Sequence, residues 1–144
     1  MPVAGRTKKD VLLEFRRSEL LTAARSVFAH KGFHAATIDD IAHAAGVAKG
    51  TVYLYFSSKQ EIYFAALRFG IESLHVELRD QAARPGTCKK KLQTLIATKI
   101  AFFDEHRDFF RIFHFELGQW PADASRLNEY KDLYFEQARL IEKV

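Results

Sequence analysis

Apolar residues recur at helical spacing along most of the chain, which predicts a protein built from helices. Between residues 10 and 30 they return every three or four positions. Gly32 then follows as a C-terminal cap, because glycine tolerates the backbone angles that end a helix. Residues 1–9 lack this spacing and contain three basic side chains, so we expect a flexible basic arm before the first helix.

Two short helices separated by a glycine are predicted next. Thr37 and Asp40 have the spacing of a capping box and start the first of these helices, and Gly46 ends it. The second short helix spans about Ala48 to Tyr55. Only a tight turn fits between the two helices.

Longer helices follow in the rest of the chain. Ser58 and Glu61 form another capping box, which starts a fourth helix that runs to about Ala83, before the break at Arg84-Pro85-Gly86. Because no Gly, Asn or Pro lies near Val144, the last helix has no stop signal, and we expect the chain to be a fragment of a longer protein. The remaining helices are expected over 89–104, 106–117 and 126–144, with a break at 118–121.

Composition narrows the class of protein further. A chain of 144 residues with 7 Gly and 3 Pro is large enough for one core or for a small head on a larger body. No stretch of about 18 uncharged apolar residues occurs, so we expect no membrane span, and no secretory signal is recognisable. A single cysteine, Cys88, cannot form an internal disulfide, which favours a cytoplasmic location.

Charge is divided unevenly along the chain. Residues 1–60 hold nine Lys and Arg against five Asp and Glu, a balance of +4, whereas residues 61–144 hold thirteen of each. A basic head beside a neutral body suits a polyanion such as nucleic acid. Charge alone leaves open the alternative of a merely solvated basic surface.

A helix-turn-helix is predicted over Thr37–Phe56. Two helices joined by a tight glycine turn can place the second helix in the DNA major groove. Their packing needs a small residue where the helices cross, which Ala42 supplies, and a turn residue that tolerates positive φ, which Gly46 supplies. It also needs apolar residues on the facing sides, and these are Ile41, Ala45, Val47 and Val52.

Several exposed side chains of this motif suit DNA. Lys49 can donate to guanine or to phosphate, Thr51 can reach a base edge, and Gly50 lets the backbone approach closely. The tyrosine hydroxyls, Lys59 and the helix N-terminus at Thr37 suit phosphate oxygens. Both tyrosines could instead be core residues, whereas Phe56 is expected to pack inside the head. The predicted DNA-contacting residues are Thr37, Lys49, Gly50, Thr51, Tyr53, Tyr55 and Lys59.

The segment Leu20–Tyr63 reads LLTAARSVFAHKGFHAATIDDIAHAAGVAKGTVYLYFSSKQEIY. It resembles the tetracycline-repressor (TetR) family of bacterial regulators in its Gly-Phe, Thr-Ile-x-x-Ile-Ala, Ala-Gly-Val and Gly-Thr-Val-Tyr-x-Tyr-Phe runs. The resemblance implies an all-α protein with a three-helix DNA-binding head at 1–57 and a helical effector-binding and dimerisation body at 58–144. It also implies a homodimer that represses genes until a small molecule binds.

The chain departs from the family pattern in two places. Ala48 stands where the family usually has a hydroxyl residue, and that position caps the recognition helix. The helices that form the family's dimer interface would lie beyond Val144, so the resemblance leaves dimerisation of this chain open.

Aromatic residues are concentrated in the second half of the chain. Six of the 13 Phe lie between Phe102 and Phe115. They can form a helical core, or they can line a pocket for an apolar or aromatic effector. The candidate pocket residues are Phe109, Phe113, His114 and Trp120.

These patterns together predict a sequence-specific DNA-binding transcriptional regulator. We expect a repressor that a small apolar effector releases from a palindromic operator. The alternative is a helical small-molecule-binding or interaction protein without operator-specific DNA binding. No catalytic, cofactor or metal signature is recognisable, so we expect no enzymatic activity, no cofactor and no metal site.

Overall fold

The computed structural model describes the backbone of residues 5–116 and 124–144, and the side chains of these residues except 115, 116, 124–130, 133 and 134. In these ranges the chain forms helices and no strand, which confirms the all-α prediction. The helices are α1 (Lys8–Lys31), α2 (Ile38–Ala45), α3 (Lys49–Tyr55), α4 (Lys59–Ala82), α5 (Cys88–Glu105), α6 (Arg107–Arg111) and α7 (Ala124–Glu142). None of the described helices is long and apolar enough to cross a membrane.

The chain divides into two compact units, residues 1–66 and 67–144. The boundary falls within α4 and not at its start. The predicted division at residues 57 and 58 assigns all of α4 to the body, and as a functional division it stays a prediction.

Three helices and the start of α4 build the core of the first unit. The α1 side chains Leu21 and Phe28 are 1% and 0% exposed, and Ile41 of α2 is 0% exposed. Tyr63 of α4 packs edge-on against Phe28, with ring centroids 5.1 Å apart. Phe56, just after α3, is also buried, as the sequence predicts.

Caps define the ends of the helices in the first unit. Gly32 caps α1 with a φ of 77°, and Gly46 caps α2 with a φ of 68°, angles that glycine adopts without strain. Both predicted caps are confirmed. The prediction of a basic arm over residues 1–9 is wrong at its end, because a capping box between Thr7 and Asp10 starts α1 at Lys8.

The second unit packs α4 closely against α6. A Cβ added to Gly70 would overlap the ring of Phe109, so only glycine allows this approach. The predicted single helix over 106–117 is instead the short α6 followed by a π-helical turn at Ile112–Glu116. Such turns leave no clear mark in the spacing of apolar residues. The predicted break at 118–121 lies outside the described residues.

Candidate functional site

The turn between α2 and α3 is held by backbone hydrogen bonds and by two fully buried side chains. The Gly46 N–H donates to the carbonyls of Ala42 and His43, and the Val47 N–H donates to the Ala42 carbonyl at 3.0 Å. Ile41 and Val52 are each 0% exposed. This geometry fixes the direction in which α3 leaves the turn.

Helix α3 buries only Val52 and presents the rest of its surface to solvent or to partial contact. Lys49, Gly50 and Tyr53 are exposed, while Thr51 and Tyr55 are half-buried. Tyr53 therefore does not belong to the core of the first unit. The five predicted DNA-contacting residues between 49 and 55 therefore all lie on α3, which follows the turn at Gly46.

Gly50 lies within α3, yet the protein itself gives no steric reason for a glycine there. Its φ is not positive, and a Cβ added to it would meet nothing within 4 Å. Glycine inside a helix costs about 0.5–1 kcal/mol relative to alanine. Gly50 therefore leaves space at the surface of α3 at the expense of helix stability.

Lys49 already has an acidic neighbour. Its ammonium lies 3.3 Å from the Asp39 carboxylate of α2, and both side chains are exposed. Exposed ion pairs contribute at most about 1 kcal/mol. Lys49 can therefore exchange Asp39 for a stronger anionic partner at low cost.

Thr37 starts α2 through a reciprocal pair of hydrogen bonds. Its hydroxyl oxygen accepts from the Asp40 N–H at 3.1 Å, and its own N–H donates to the Asp40 carboxylate at 3.0 Å. The Lys31 ammonium, 2.9 Å from that carboxylate, and the hydrogen bonds from Thr37 lower the pKa of Asp40. Both the N–H and the hydroxyl of Thr37 interact with the Asp40 carboxylate, so donation from the hydroxyl to a phosphate would require one of these interactions to be exchanged.

Lys59 lies where three carbonyl oxygens converge. Its ammonium donates to the carbonyls of Phe33 at 2.7 Å, Ala36 at 3.0 Å and His34 at 3.3 Å. The same ammonium lies 4.4 Å from the centre of the Phe33 ring. All three of its N–H donors are used, so a phosphate contact would require one of these hydrogen bonds to be exchanged.

The first residue of α3 lacks a side-chain cap. Ala48 has the extended backbone of an N-cap, with φ −72° and ψ 150°, but no side-chain oxygen to accept from the helix N–H groups. The structure thus places Ala48 at the capping position that the sequence comparison with the family indicates.

Comparisons with known proteins agree with this geometry. The family model of bacterial regulatory proteins of the tetR family matches residues 20–66, which contain α2, α3 and their turn. The transcriptional activator FasR of Mycolicibacterium smegmatis is 46% identical over 89 residues, which cover 62% of this chain and 39% of FasR. The transcriptional repressor KstR2 of Rhodococcus jostii is 31% identical over 125 residues, which cover 83% of this chain and 61% of KstR2.

Residues 20–66 are thus similar to the tetR family of bacterial regulatory proteins. Solved structures extend the likeness beyond the head. A putative fatty acid metabolism regulator of Clostridium perfringens has a TM-score of 0.71 and 29% identity, over 87% of this chain and 68% of that one. FadR of Bacillus subtilis, solved in complex with stearoyl-CoA, has a TM-score of 0.75 and 26% identity, over 83% of this chain and 65% of FadR. The chain spans 39% of FasR and 61% of KstR2.

The predicted pocket residues lie in different surroundings. Phe109 is 1% exposed and packs on Gly70, whereas Phe113 is half-buried and His114 is exposed. Phe109 and Phe113 line a cavity of only about 10 Å³. Trp120 lies outside the described residues.

A larger groove lies elsewhere in the second unit. It has a volume of about 140 Å³ and is walled mostly by aliphatic side chains of α4, α5 and α7. The helix that the sequence predicts over 89–104 contains the α5 residues of this groove, but the sequence does not show that α7 packs beside them. The lining residues are Leu78, Leu92, Leu95, Ile96, Lys99, Gln137, Ala138, Leu140 and Ile141.

Proposed function

We propose that the chain is the DNA-binding and partial effector-binding portion of a transcriptional regulator. The observation that carries this proposal is α3, which is anchored by Val52 and exposes Lys49, Gly50 and Tyr53 after a glycine turn. A helix presented in this way fits the major groove, and the lysine and the glycine suit contact with base edges. The net charge of +4 in residues 1–60 favours the phosphate backbone as the partner.

The remaining DNA contacts belong to the same proposal. Thr37 donates its hydroxyl to phosphate, Tyr53 and Tyr55 add phenol hydroxyls, and Thr51 reaches a base edge. We propose repression from a palindromic operator, with the full-length protein binding as a homodimer. KstR2 is named as a repressor and FasR as an activator, so the relatives support regulation of transcription in either direction.

The effector is proposed to be a small apolar molecule that binds in the aliphatic groove of the second unit. A groove of about 140 Å³ with mostly apolar walls and one lysine fits part of such a ligand. The relatives named for fatty acid metabolism, and the FadR structure with stearoyl-CoA, support an apolar ligand. The phenylalanines remain candidates for the smaller cavity beside it.

Selection from random duplex DNA at low salt tests the DNA-binding function. We expect enrichment of a motif that contains at least one half-site, and a two-fold symmetric motif from a version extended to the length of the relatives. Absence of enrichment from both versions would favour the alternative of a helical binding protein without an operator. Release of the selected duplex by fatty acyl compounds would then test the effector.

Replacing Lys49 by alanine is expected to change which sequences are enriched, because the side chain reads a base edge. Tyr53→Phe is the matched comparison, since loss of a phosphate contact weakens binding to all sequences alike. Binding curves on several selected duplexes measure both effects. An equal loss on every duplex after Lys49→Ala would contradict base reading by Lys49.

A further inference from the structure

The first half of α1 extends beyond the core of its unit. Leu20 is the first buried residue of this helix, so the twelve residues Lys8–Glu19 precede it and span about 18 Å. Four large apolar side chains on this segment are exposed: Val11 is 53% exposed, Leu12 57%, Leu13 45% and Phe15 56%. Leu13 lies on the side of the helix that buries Leu20, and the other three lie away from it. Nothing in the proposed contact between α3 and DNA uses them.

These three side chains form a stripe on one side of the helix. At about 100° per residue, Val11, Leu12 and Phe15 point away from the side that buries Leu20 and Phe28. Packing of the first unit therefore does not account for them. We call this group, Val11, Leu12 and Phe15, the α1 stripe.

Charges of opposite sign flank the α1 stripe on the same side of the helix. Lys8 lies before it and has no ion-pair partner among the described residues. Glu19 lies after it and pairs with Arg16 at 3.2 Å, an exposed contact that is easily exchanged. A surface of phosphate groups or anionic lipid would repel Glu19. The positive charge of Lys8 and the negative charge of Glu19 therefore favour a partner that carries both positive and negative charges.

A second copy of α1 offers both a positive and a negative charge beside an apolar stripe. When two α1 helices lie antiparallel with the two-fold axis between Leu13 and Glu14, Lys8 of each copy lies opposite Glu19 of the other. Leu12 then lies opposite Phe15 of the other copy. The stripe is thus complementary to itself in both apolar contact and charge, as an interface with two-fold symmetry requires.

We propose that the α1 stripe is a self-association surface that pairs two copies of the chain through antiparallel α1 helices. Three apolar side chains per copy cover much less than the roughly 800 Å² per partner of a standard interface, so the contact is weak by itself. It gains strength where two copies are already held close together, because the local concentration is then high.

Zero-length carbodiimide cross-linking tests this pairing directly, because it joins an amine and a carboxylate that touch. Within one chain, Lys8 and Glu19 lie about 16 Å apart along the helix, too far for this reagent. We expect a cross-link between Lys8 and Glu19. When isotope-labelled and unlabelled chains are mixed, cross-linked peptide pairs with one labelled and one unlabelled member should appear, because the two residues come from different copies. No such cross-link at concentrations up to the solubility limit would overturn the proposal.

Two variants distinguish a specific contact through the α1 stripe from the loss of any exposed apolar side chain. Phe15→Ser is expected to lower the yield of the Lys8–Glu19 cross-link about tenfold, through the loss of one large apolar contact. Val76→Ser, at an exposed valine of α4, is the control and should leave the yield unchanged. An unchanged yield after Phe15→Ser would overturn the proposal.

Charge exchange provides an independent arm. Lys8→Glu combined with Glu19→Lys should restore a cross-link between the same two positions, with the reactive groups exchanged. Glu19→Lys alone should lose the cross-link, while Lys9→Glu, about 100° around the helix, should retain it. If Phe15→Ser instead abolishes binding to phosphatidylserine vesicles or to duplex DNA, with no Lys8–Glu19 cross-link in the parent chain, that other surface is the partner and the proposal is wrong.

Discussion

Lys49 and Lys59 carry the same charge but lie in very different surroundings. Lys49 is exposed and shares a single weak ion pair with Asp39. Lys59 donates to three carbonyls of the segment between α1 and α2. That segment ends at Thr37, where α2 begins, so Lys59 holds the backbone that presents the Thr37 hydroxyl.

Lys59→Met is expected to weaken DNA binding without changing its dependence on salt. Methionine keeps an apolar chain near the Phe33 ring but leaves the three carbonyls without their donor. The slope of log affinity against log salt is negative. Loss of a phosphate contact makes this slope shallower, by about 0.9.

Fluorescence anisotropy of the selected duplex between about 50 and 200 mM salt measures this slope. Lys31→Met is the matched control for the loss of one positive charge, because it removes a lysine of the same region that pairs with Asp40. A slope reduced by about 0.9 in Lys59→Met alone would show that Lys59 binds phosphate.

Helix α3 has the fewest interactions of its own to stabilise it among the helices of the proposed site. It has seven residues, one buried side chain and no side-chain cap. Helices shorter than about 12–15 residues are marginal in water, so α3 depends on its packing through Val52. Helix α2 is almost as short, but it has the complete capping box of Thr37 and Asp40.

Ala48→Ser is expected to stabilise the first unit by about 1 kcal/mol, because the backbone of Ala48 is already extended as an N-cap requires. Thr37→Ala should destabilise it by a similar amount, because α2 loses its cap. Urea unfolding followed by far-ultraviolet circular dichroism measures both changes. A destabilised Ala48→Ser variant would show that the position does not act as a cap.

The two compact units of the molecule differ in charge and in what shapes their packing. The first unit, residues 1–66, has nine basic and six acidic side chains, a net charge of +3, whereas the second has thirteen and twelve, a net charge of +1. The shape of the first unit depends on glycines with positive φ. The second unit depends on a glycine of another kind, Gly70, whose missing side chain lets Phe109 lie against α4.

Gly70→Ala is expected to destabilise the second unit by about 1–3 kcal/mol, because the new methyl group would overlap the Phe109 ring. Gly86→Ala is the matched control, since its nearest contact would be an ordinary 3.9 Å to Lys91. Urea unfolding followed by far-ultraviolet circular dichroism measures the stability of both variants. Equal stability of the two variants would contradict the close packing.

Local signals in the sequence determined much of the fold and the position of the proposed site. Thr37 caps α2 through Asp40, three residues along, and Gly46 ends the same helix within a turn. These interactions span only a few residues, so their spacing is visible in the sequence. The buried positions Ile41 and Val52 also follow from helical period, which is again a local property.

Tertiary structure alone decided the contacts between residues far apart in the chain. Lys59 reaches carbonyls 23 to 26 residues earlier, and Phe109 fills the space left by Gly70. The aliphatic groove combines α5 with α7. Helical period shows which side of a helix is apolar but not which other helix covers it, because that pairing depends on how distant segments pack in three dimensions.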